Sequence, residues 1–537
     1  HVPDTEFIAE HLIPNYFRVN KIYLTEYPIV RGTALAGIRK PAATEAILKA
    51  INQGSLIIDF IGHANDKLWT HEHVLTLSEH FDLINNGSRQ AFWIAATCNF
   101  GRYDNPESQS FAERLVNAFN GGAIAVFASC RAAVSVDNVS LNQALFRQLL
   151  SSDRKRIRIG DAVMAAKNSQ GNRINDQFYH LLGDPTLVLP IPNFEAKIAD
   201  FQPDSIRALT LMHINGIIFN PEDSLAQVNG HVVFTAMDSR KFRIHRVNEY
   251  REYRYYLPGN TIFRGTISVQ DNYFLSRFIV PKDITYGGND GRFQIFYQDG
   301  TNMGSGYLNN IPVGGTRSDF YDSEGPEIKV EIQGMSFQPG GFIPPNATMK
   351  VTITDSVSGI NIAGDIGHNI AMLVDETEKV DLTDYFQYFQ DSYISGVAAY
   401  PLQGLSEGEH RIQIKAWDNS NNSSVVEFEC TVSDLSTLVI QDLLNYPNPF
   451  SETTEITFWV NQDCDIEIKV YTVNGRLIRK MDHFTAYMGF NHFFWDGTDQ
   501  DNEPLANGIY LYKVSARCSN GTKWLSTHEI QKCVIVR

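Results

Sequence analysis

The sequence lacks the signatures of several protein classes. Its six cysteines are scattered, without a CxxC pair or a zinc-type spacing to histidine, so neither a disulfide framework nor a structural metal is indicated. No apolar run approaches the roughly 18 to 20 residues that a membrane-spanning helix needs. Basic residues form no run larger than the segment 154–158, and the net charge is −16. This balance argues against a nucleic-acid surface, which requires a clustered basic face.

The chain also opens at His1 with neither a start methionine nor a charged and then apolar leader, so we expect further sequence upstream of residue 1. What the chain does contain is apolar material for several cores. Of its 537 residues, 43% are hydrophobic, including 33 Phe and 23 Tyr. Since single cores stop growing at roughly 250 to 300 residues, several domains are predicted.

The first part of the chain alternates helical periodicity with short apolar runs. The runs at 56–61, 91–97 and 123–129 are almost uninterrupted by polar residues, as in strands that are covered on both faces. Helices are predicted between these strands and then at 141–150, 160–168 and 176–182, followed by a last strand at 186–189. This order predicts an α/β domain with a parallel sheet over residues 1–192.

Beyond residue 192 the helical period disappears. Alternating runs such as 261–269 and 348–354 are separated by Gly, Asn and Asp turns, which predicts strands joined by tight turns. We expect a β-rich domain at 193–322, an immunoglobulin-like β-sandwich at 323–435 and another β-sandwich at 436–537. The fold class is therefore a parallel α/β domain followed by several all-β domains.

One histidine and one cysteine directly follow two consecutive apolar strands. His63 comes after the run 56–61 and Cys98 after the run 91–97. Open α/β sheets bind ligands beyond the carboxyl ends of their strands, so both side chains are predicted to reach one crevice. A thiol is mostly protonated at neutral pH and needs a base, a role that suits imidazole. The alternative from the residues alone is that Cys98 is a packed core thiol and His63 a strand-end histidine with a structural partner.

The motifs around these two residues resemble those of the gingipain-type cysteine peptidases, relatives of the caspases. The resemblance is carried by Gly62-His63, by Cys98-Asn99-Phe100-Gly101 and by the later Gly183-Asp184-Pro185. It implies a caspase-like fold for residues 1–192, with Cys98 as the nucleophile and His63 as the acid–base group.

The same resemblance implies an oxyanion hole made by the backbone N–H groups of Cys98 and Ala64, where Ala64 occupies a position that is normally glycine. It places the acid that orients the histidine upstream of residue 1, with Asp4 and Asp59 as stand-ins within the chain. Cys130 has no matching Gly-His element and is expected to have a structural or pocket-wall role. Trp69, His71 and His73 are expected in a loop at the pocket, and no metal is assigned to the two histidines.

The C-terminal region carries a second resemblance. The order of Asn445-Tyr446-Pro447-Asn448-Pro449-Phe450, Phe494-Trp495-Asp496-Gly497 and Gly508-Ile509-Tyr510 is similar to the C-terminal sorting domains of type IX secretion. The residues alone would equally fit one more β-sandwich with Pro and Asp-Gly turns. Together with the sequence around Cys98 and the segment 355–361, the chain resembles the sortases of that system.

This resemblance implies a function, its partners and a location. The chain is expected to cleave sorting domains from cargo proteins and to transfer the cargo to an amine of anionic lipopolysaccharide. It would act peripherally on the extracellular face of the outer membrane, beside a β-barrel anchor expected to be PorV. No cofactor is required, although structural calcium is compatible with the family and with acidic turns such as 496–501. The alternatives are a secreted gingipain-like endopeptidase that is itself cargo and an inactive scaffold or adhesion protein.

Overall fold

A computed structural model describes residues 1–31, 37–150, 153–171, 173–221, 227–335, 337, 339–364, 367–402, 404–433, 436–519 and 523–537. The predicted boundary between residues 435 and 436 adjoins residues 434–435, which lie outside the described residues. None of the described helices combines the length and the apolar composition that crossing a bilayer requires.

The N-terminal region is built around one sheet with helices on both faces. In chain order its elements are α1 (Val2–His11), β1 (Val30–Arg31), β2 (Ile38–Arg39), α2 (Pro41–Gln53), β3 (Ile57–Ile61), β4 (Leu68–Trp69), β5 (Leu75–Thr76), β6 (Ala91–Ala96), α3 (Phe111–Val116), β7 (Ala123–Ser129), α4 (Ser135–Leu149), α5 (Ile159–Ser169), α6 (Ile174–Phe178) and β8 (Tyr179–Gly183). The main sheet has the strand order β3-β6-β7-β8.

The central strands are buried because both faces of the sheet are covered. Every residue of β6 is buried, and its alternate side chains enter two different hydrophobic clusters. Phe92, Ile94 and Ala96 pack with residues of α1, α4 and α5 on one face. Trp93 and Ala95 pack with residues of α2 and α3 on the other. Uninterrupted apolar runs are therefore what these positions require.

The end of this region differs from the prediction. The predicted helix at 176–182 is a short helix, α6, followed by strand β8, and β8 pairs with β7 in the antiparallel sense. The sheet is thus mixed, with β3, β6 and β7 parallel. A Cβ on Gly183 would lie 2.8 Å from the Cβ of Ala125, so glycine permits the close approach of β8. Residues 186–189, predicted as a strand, form only an isolated β-bridge between Val188 and Arg158.

The middle of the chain is all-β, as predicted. A seven-stranded sheet in the order β15-β12-β17-β18-β9-β11-β16 is followed by two facing sheets in the orders β20-β22-β26-β25 and β21-β28-β27-β23-β24. The strands are β9 (Phe194–Gln202), β10 (Ile206–Ala208), β11 (Leu211–Phe219), β12 (Gly230–Met237), β13 (Lys241–Asn248), β14 (Arg251–Leu257), β15 (Thr261–Val269), β16 (Tyr273–Ile279), β17 (Gly291–Gln298), β18 (Met303–Ile311), β19 (Val313–Thr316), β20 (Glu327–Ile332), β21 (Phe342–Ile343), β22 (Thr348–Thr354), β23 (Ala371–Val374), β24 (Glu378–Asp381), β25 (Phe386–Tyr388), β26 (Ser395–Pro401), β27 (Gly408–Trp417) and β28 (Ser423–Val432). One continuous cluster of buried side chains runs through these sheets, from Phe194 to Val432.

The C-terminal region is a separate two-sheet sandwich. Its sheets have the orders β29-β30-β33 and β32-β31-β34-β35 and enclose their own buried cluster. The strands are β29 (Ile440–Tyr446), β30 (Thr454–Val460), β31 (Cys464–Thr472), β32 (Leu477–Ala486), β33 (Gly489–Trp495), β34 (Gly508–Ser519) and β35 (Trp524–Ile535). The expected fold class, an α/β domain followed by all-β sandwiches, is confirmed.

Candidate active site

His63 and Cys98 leave the same edge of the sheet from neighbouring strands. Strands β3 and β6 pair in parallel with Ile61 opposite Ala96, and each candidate residue lies two positions beyond its member of that pair. Neighbouring strands are roughly 4.8 Å apart. The imidazole and the thiol are therefore carried by adjacent segments at the carboxyl end of the sheet.

The two side chains also share one face. Ile61 and Ala96, the last residues of the two strands, both belong to the cluster on the face of α1 and α4. The contacts of His63 and Cys98 are with segments that adjoin α1 and α4. The His63 ring packs edge-on against the His1 ring, next to α1, at a centroid distance of 5.3 Å, and Cys98 Sγ contacts Ala133 in the loop before α4.

Cys98 differs from the other five cysteines in its exposure. It is partly exposed, whereas the others are buried. Burial raises the pKa of Cys430 to about 11 and the pKa values of Cys464 and Cys533 to about 12, so these thiols stay protonated. A thiol must be reachable to act as a nucleophile. The packed-core alternative for Cys98 therefore does not describe its environment.

The sulfur is held by a backbone group in the described structure. Ala133 N–H donates to Cys98 Sγ at 3.3 Å, and the Ala133 carbonyl oxygen lies 3.6 Å from the same sulfur. Among the described residues, no hydrogen bond joins Cys98 to His63. Catalytic hydrogen bonds are often long before substrate binds. The two groups thus follow neighbouring strand ends and are not hydrogen-bonded to each other in the described structure.

The two backbone donors assigned to the oxyanion hole have no hydrogen-bond acceptor within the described chain. Ala64 pairs with Trp69 in an isolated bridge, but the bonds of that bridge run from Asn65 N–H and Thr70 N–H, which leaves Ala64 N–H unused. Cys98 is followed by Asn99, whose φ of 55° turns the chain sharply after the nucleophile. Unused N–H groups at a nucleophile are what an oxyanion hole requires.

Neither stand-in acid is bonded to His63 in the described structure. Asp4 lies in the first turn of α1, with its carboxylate 3.6 Å from the amino nitrogen of His1. Asp59 accepts a hydrogen bond of 2.9 Å from Asn142 Nδ2 on α4. Burial raises the pKa of Asp59 to about 7, against the opposing effect of that hydrogen bond. Asp4 thus lies on α1, and Asp59 is bonded to α4. The acid that orients His63 remains a prediction.

The aromatic side chains of the loop after His63 lie in two places, the hydrophobic core and the candidate site. Trp69, expected at the pocket, is instead buried on the opposite face of the sheet, where it stacks on Phe60 at a centroid distance of 4.2 Å. Its neighbour His71 stays at the site, with its ring 5.8 Å from that of His63. Cys130, at the end of β7, is buried. Of the side chains expected at the pocket, His71 therefore contacts His63, whereas His73 lines a different cavity together with Glu79 and Asp384.

Sequence reasoning missed the contribution of the loop after β7. This loop carries the Ala133 N–H that reaches the nucleophile, and a backbone group has no signature of its own in the sequence. One signal was available. Strand β7 is parallel to β3 and β6, so the loop that follows it had to leave the sheet at the same edge.

Carboxylates that could hold a metal ion lie far along the chain from this site. Asp322, Asp355 and Asp418 each place an oxygen within 4.8 Å of the others. Burial, followed by smaller contributions that include Asp322 and Asp355, raises the pKa of Asp418 to about 6. Three such oxygens suit a hard cation such as calcium. The acidic turn at 496–501 is instead closed by hydrogen bonds of its own, from Thr498 N–H to Asp496 and from Asp501 N–H to Asp499.

Comparison with known proteins agrees with the motif analysis in the N-terminal region. Residues 3–190 match the model of Peptidase family C25, and residues 448–520 match that of the FlgD Ig-like domain. No curated protein matches the chain. The match to the C25, or gingipain, family of cysteine peptidases over residues 3–190 confirms the predicted resemblance for the N-terminal region.

Among solved structures, the chain is similar to dimeric latent PorU from Porphyromonas gingivalis, with 22% identity and a TM-score of 0.32. That similarity covers 73% of this chain and 39% of the PorU chain. The chain is also similar to the complex of the RgpB pro- and mature domains from the same organism, with 16% identity and a TM-score of 0.26. That match covers 50% of this chain and 57% of the other. The chain thus spans about two-fifths of the length of the PorU chain.

Proposed function

We propose that this chain is the peptidase part of a type IX secretion sortase, similar in role to PorU. It cleaves C-terminal sorting domains from cargo proteins and transfers the cargo to an amine of anionic lipopolysaccharide. The observation that supports catalysis best is the common edge and face of His63 and Cys98, beside two unused N–H groups. The motifs around Cys98, at 355–361 and in the C-terminal sandwich support the sortase role.

In the proposed reaction, Cys98, His63 and the two backbone N–H groups each have one role. His63 takes the thiol proton as Cys98 Sγ attacks the scissile carbonyl carbon, and the resulting oxyanion accepts hydrogen bonds from Cys98 N–H and Ala64 N–H. His63 then returns the proton to the leaving amine of the sorting domain, and the cargo remains as a thioester on Cys98. An acceptor amine attacks this thioester, forms an amide and releases the thiol. Water in the same position would give a free carboxylate.

The location and partners follow from this role. The protein acts peripherally on the extracellular face of the outer membrane, held by an anchor that we expect to be PorV. Its substrates are cargo chains with C-terminal sorting domains. No cofactor takes part in the steps above, and calcium would have a structural role only.

Replacing Cys98 by alanine in producing cells is expected to leave cargo with uncleaved sorting domains, because no thioester can form. Immunoblotting of cargo size measures cleavage, and mass spectrometry of the mature cargo C-terminus distinguishes an amide to lipopolysaccharide from a free carboxylate. Cys130→Ala is the matched control, since this thiol is buried at the end of the next strand; it should process cargo normally. Normal processing in the Cys98→Ala strain would contradict the proposal. Digestion of unrelated proteins by the purified enzyme would favour a general endopeptidase instead.

A further inference from the structure

Three buried polar side chains form a hydrogen-bonded network between the peptide before Cys98 and the loop after β7. Asn175 on α6 is 0% exposed, Tyr179 at the start of β8 is 2% exposed and Asn138 on α4 is 6% exposed. Asn175 Nδ2 donates to Asn138 Oδ1 at 2.7 Å, and the Tyr179 hydroxyl lies 2.7 Å from the same oxygen. Buried polar groups persist only when they are hydrogen-bonded. The hydrogen bonds at the two ends of this side-chain network reach the peptide before Cys98 and the loop after β7.

One end reaches the peptide that precedes the nucleophile. The Tyr179 hydroxyl lies 3.2 Å from the carbonyl oxygen of Thr97, the residue before Cys98. Its single proton therefore serves two acceptors, Thr97 O and Asn138 Oδ1. Thr97 is itself 0% exposed, so no solvent competes for this carbonyl. The position of the backbone that carries the thiol is thus tied to β8.

The other end clamps the loop that donates to the sulfur. Asn175 Oδ1 accepts the N–H of Val134 at 2.9 Å, and Asn175 Nδ2 donates to the carbonyl of Val134 at 2.8 Å. A single side-chain amide thus fixes both polar groups of one residue. The preceding residue is Ala133, whose N–H lies 3.3 Å from Cys98 Sγ.

We propose that Ala133 N–H is a catalytic hydrogen-bond donor to the Cys98 thiolate, and that Asn175, Asn138 and Tyr179 are positioning residues that hold donor and sulfur at a fixed separation. In the resting thiol the S–H proton can point to the Ala133 carbonyl, 3.6 Å away. Once His63 has taken that proton, the sulfur keeps the N–H bond, which strengthens because the acceptor is charged. The inference rests on the proposed function, since it adds a group to the nucleophile named there.

The proposal predicts a change in how the thiol ionises. Asn175→Ala frees the Val134 peptide, so the midpoint of the pH profile for alkylation of Cys98 by iodoacetamide should move up by about one pH unit, and the rate at pH 6 should fall about tenfold. Tyr179→Phe keeps the ring but loses the bond to Thr97, and we expect a fall of roughly threefold. Both are measured on the full chain by mass spectrometry of the Cys98 peptide.

The controls remove the same polar groups far from the sulfur. Asn419→Ala deletes a buried amide that bonds Ile279 O and Ser358 O, and Tyr297→Phe deletes a hydroxyl bonded to Asn229 O. These variants should lower the melting temperature to a similar extent and leave the alkylation profile unchanged. The charged or titratable groups around this loop are the same in every variant, and they include His63, Asp59, Cys130, Asp176 and the Arg131–Asp104 and Arg173–Asp137 ion pairs.

Two results would overturn the proposal: an unchanged profile in folded Asn175→Ala, or an equal shift in the controls. If Asn175→Ala does not fold, Tyr179→Phe decides in the same way, because its ring still fills the core. The assay needs no cargo, so it fails separately from the sortase proposal. Normal cargo processing without Cys98 would reject the sortase and leave the profile shift standing.

Discussion

Alkylation of Cys98 by a peptide-based thiol probe at pH 7 is expected to fall at least about 100-fold in His63→Ala. The thiol is partly exposed but needs a base, and His63 leaves the neighbouring strand at the same edge and on the same face. The rate is measured by mass spectrometry of the labelled peptide over a pH series. The variant should recover at alkaline pH, where a thiol ionises without assistance.

The matched control is His71→Ala. This ring lies in the same loop, 5.8 Å from the ring of His63, so its removal should change the rate less than about threefold if His63 alone is the base. Equal losses in both variants would mean that the loop, and not the imidazole of His63, sets reactivity. Unchanged labelling in His63→Ala would make Cys98 an ordinary accessible thiol and would support the inactive scaffold.

The free energy of unfolding of Asp59→Asn is expected to exceed that of the parent chain at pH 8 and to match it near pH 4. Burial raises the pKa of Asp59 from 3.8 to about 7, so the folded state keeps a proton that the unfolded state loses. Stability therefore falls as the pH rises from about 4 to about 7, and the full cost is present above pH 7. A shift of this size corresponds to at most about 4 kcal/mol, and we expect about 2 kcal/mol.

The asparagine introduced in Asp59→Asn can also hydrogen-bond to Asn142, the partner of Asp59. Asn142 Nδ2 already donates to Asp59, while Asn142 Oδ1 is buried without a partner in the described structure. A neutral acid or an amide at position 59 can donate to this oxygen, whereas a carboxylate cannot. Urea unfolding followed by tryptophan fluorescence at both pH values measures the difference.

Asp4→Asn serves as the comparison, because Asp4 lies at the first turn of α1 and bonds only to His1 among the described residues. It should show no gain at pH 8. A gain of equal size would mean that general charge reduction, and not the buried carboxyl, stabilises the variant. Labelling of Cys98 in the same two variants also tests which stand-in acid supports His63, since loss of that acid should slow labelling.

The sequence predicts the parts of the fold that repeat one local pattern. Strand β7 was predicted at the bounds that it has, because an uninterrupted apolar run needs cover on both faces. Strand β8 was predicted as helix, since five residues with mixed polarity fit either period. Its true state depends on pairing with β7 and on Gly183 against Ala125, which are contacts between distant parts of the chain.

In the candidate site too, local sequence patterns predict some positions, whereas contacts between distant residues determine others. Strand-end placement predicts that His63 and Cys98 lie at one edge of the sheet, because parallel strands present their carboxyl ends there, and the family resemblance gives them their catalytic roles. Trp69 was misplaced at the pocket because aromatic residues beside histidines occur equally in loops and cores. Its stacking on Phe60 is visible only in three dimensions. The donor from Ala133 is a main-chain group, for which residue type carries no information.

The separate core of the C-terminal sandwich has a consequence for how the protein loses its structure. Its buried side chains, from Leu438 to Ile535, pack among themselves, whereas the sheets before it share one continuous interior from Phe194 to Val432. Heating should therefore melt β9 to β28 in a single cooperative step, with the terminal sandwich melting independently. A protease that cuts between them would release two units that each remain folded.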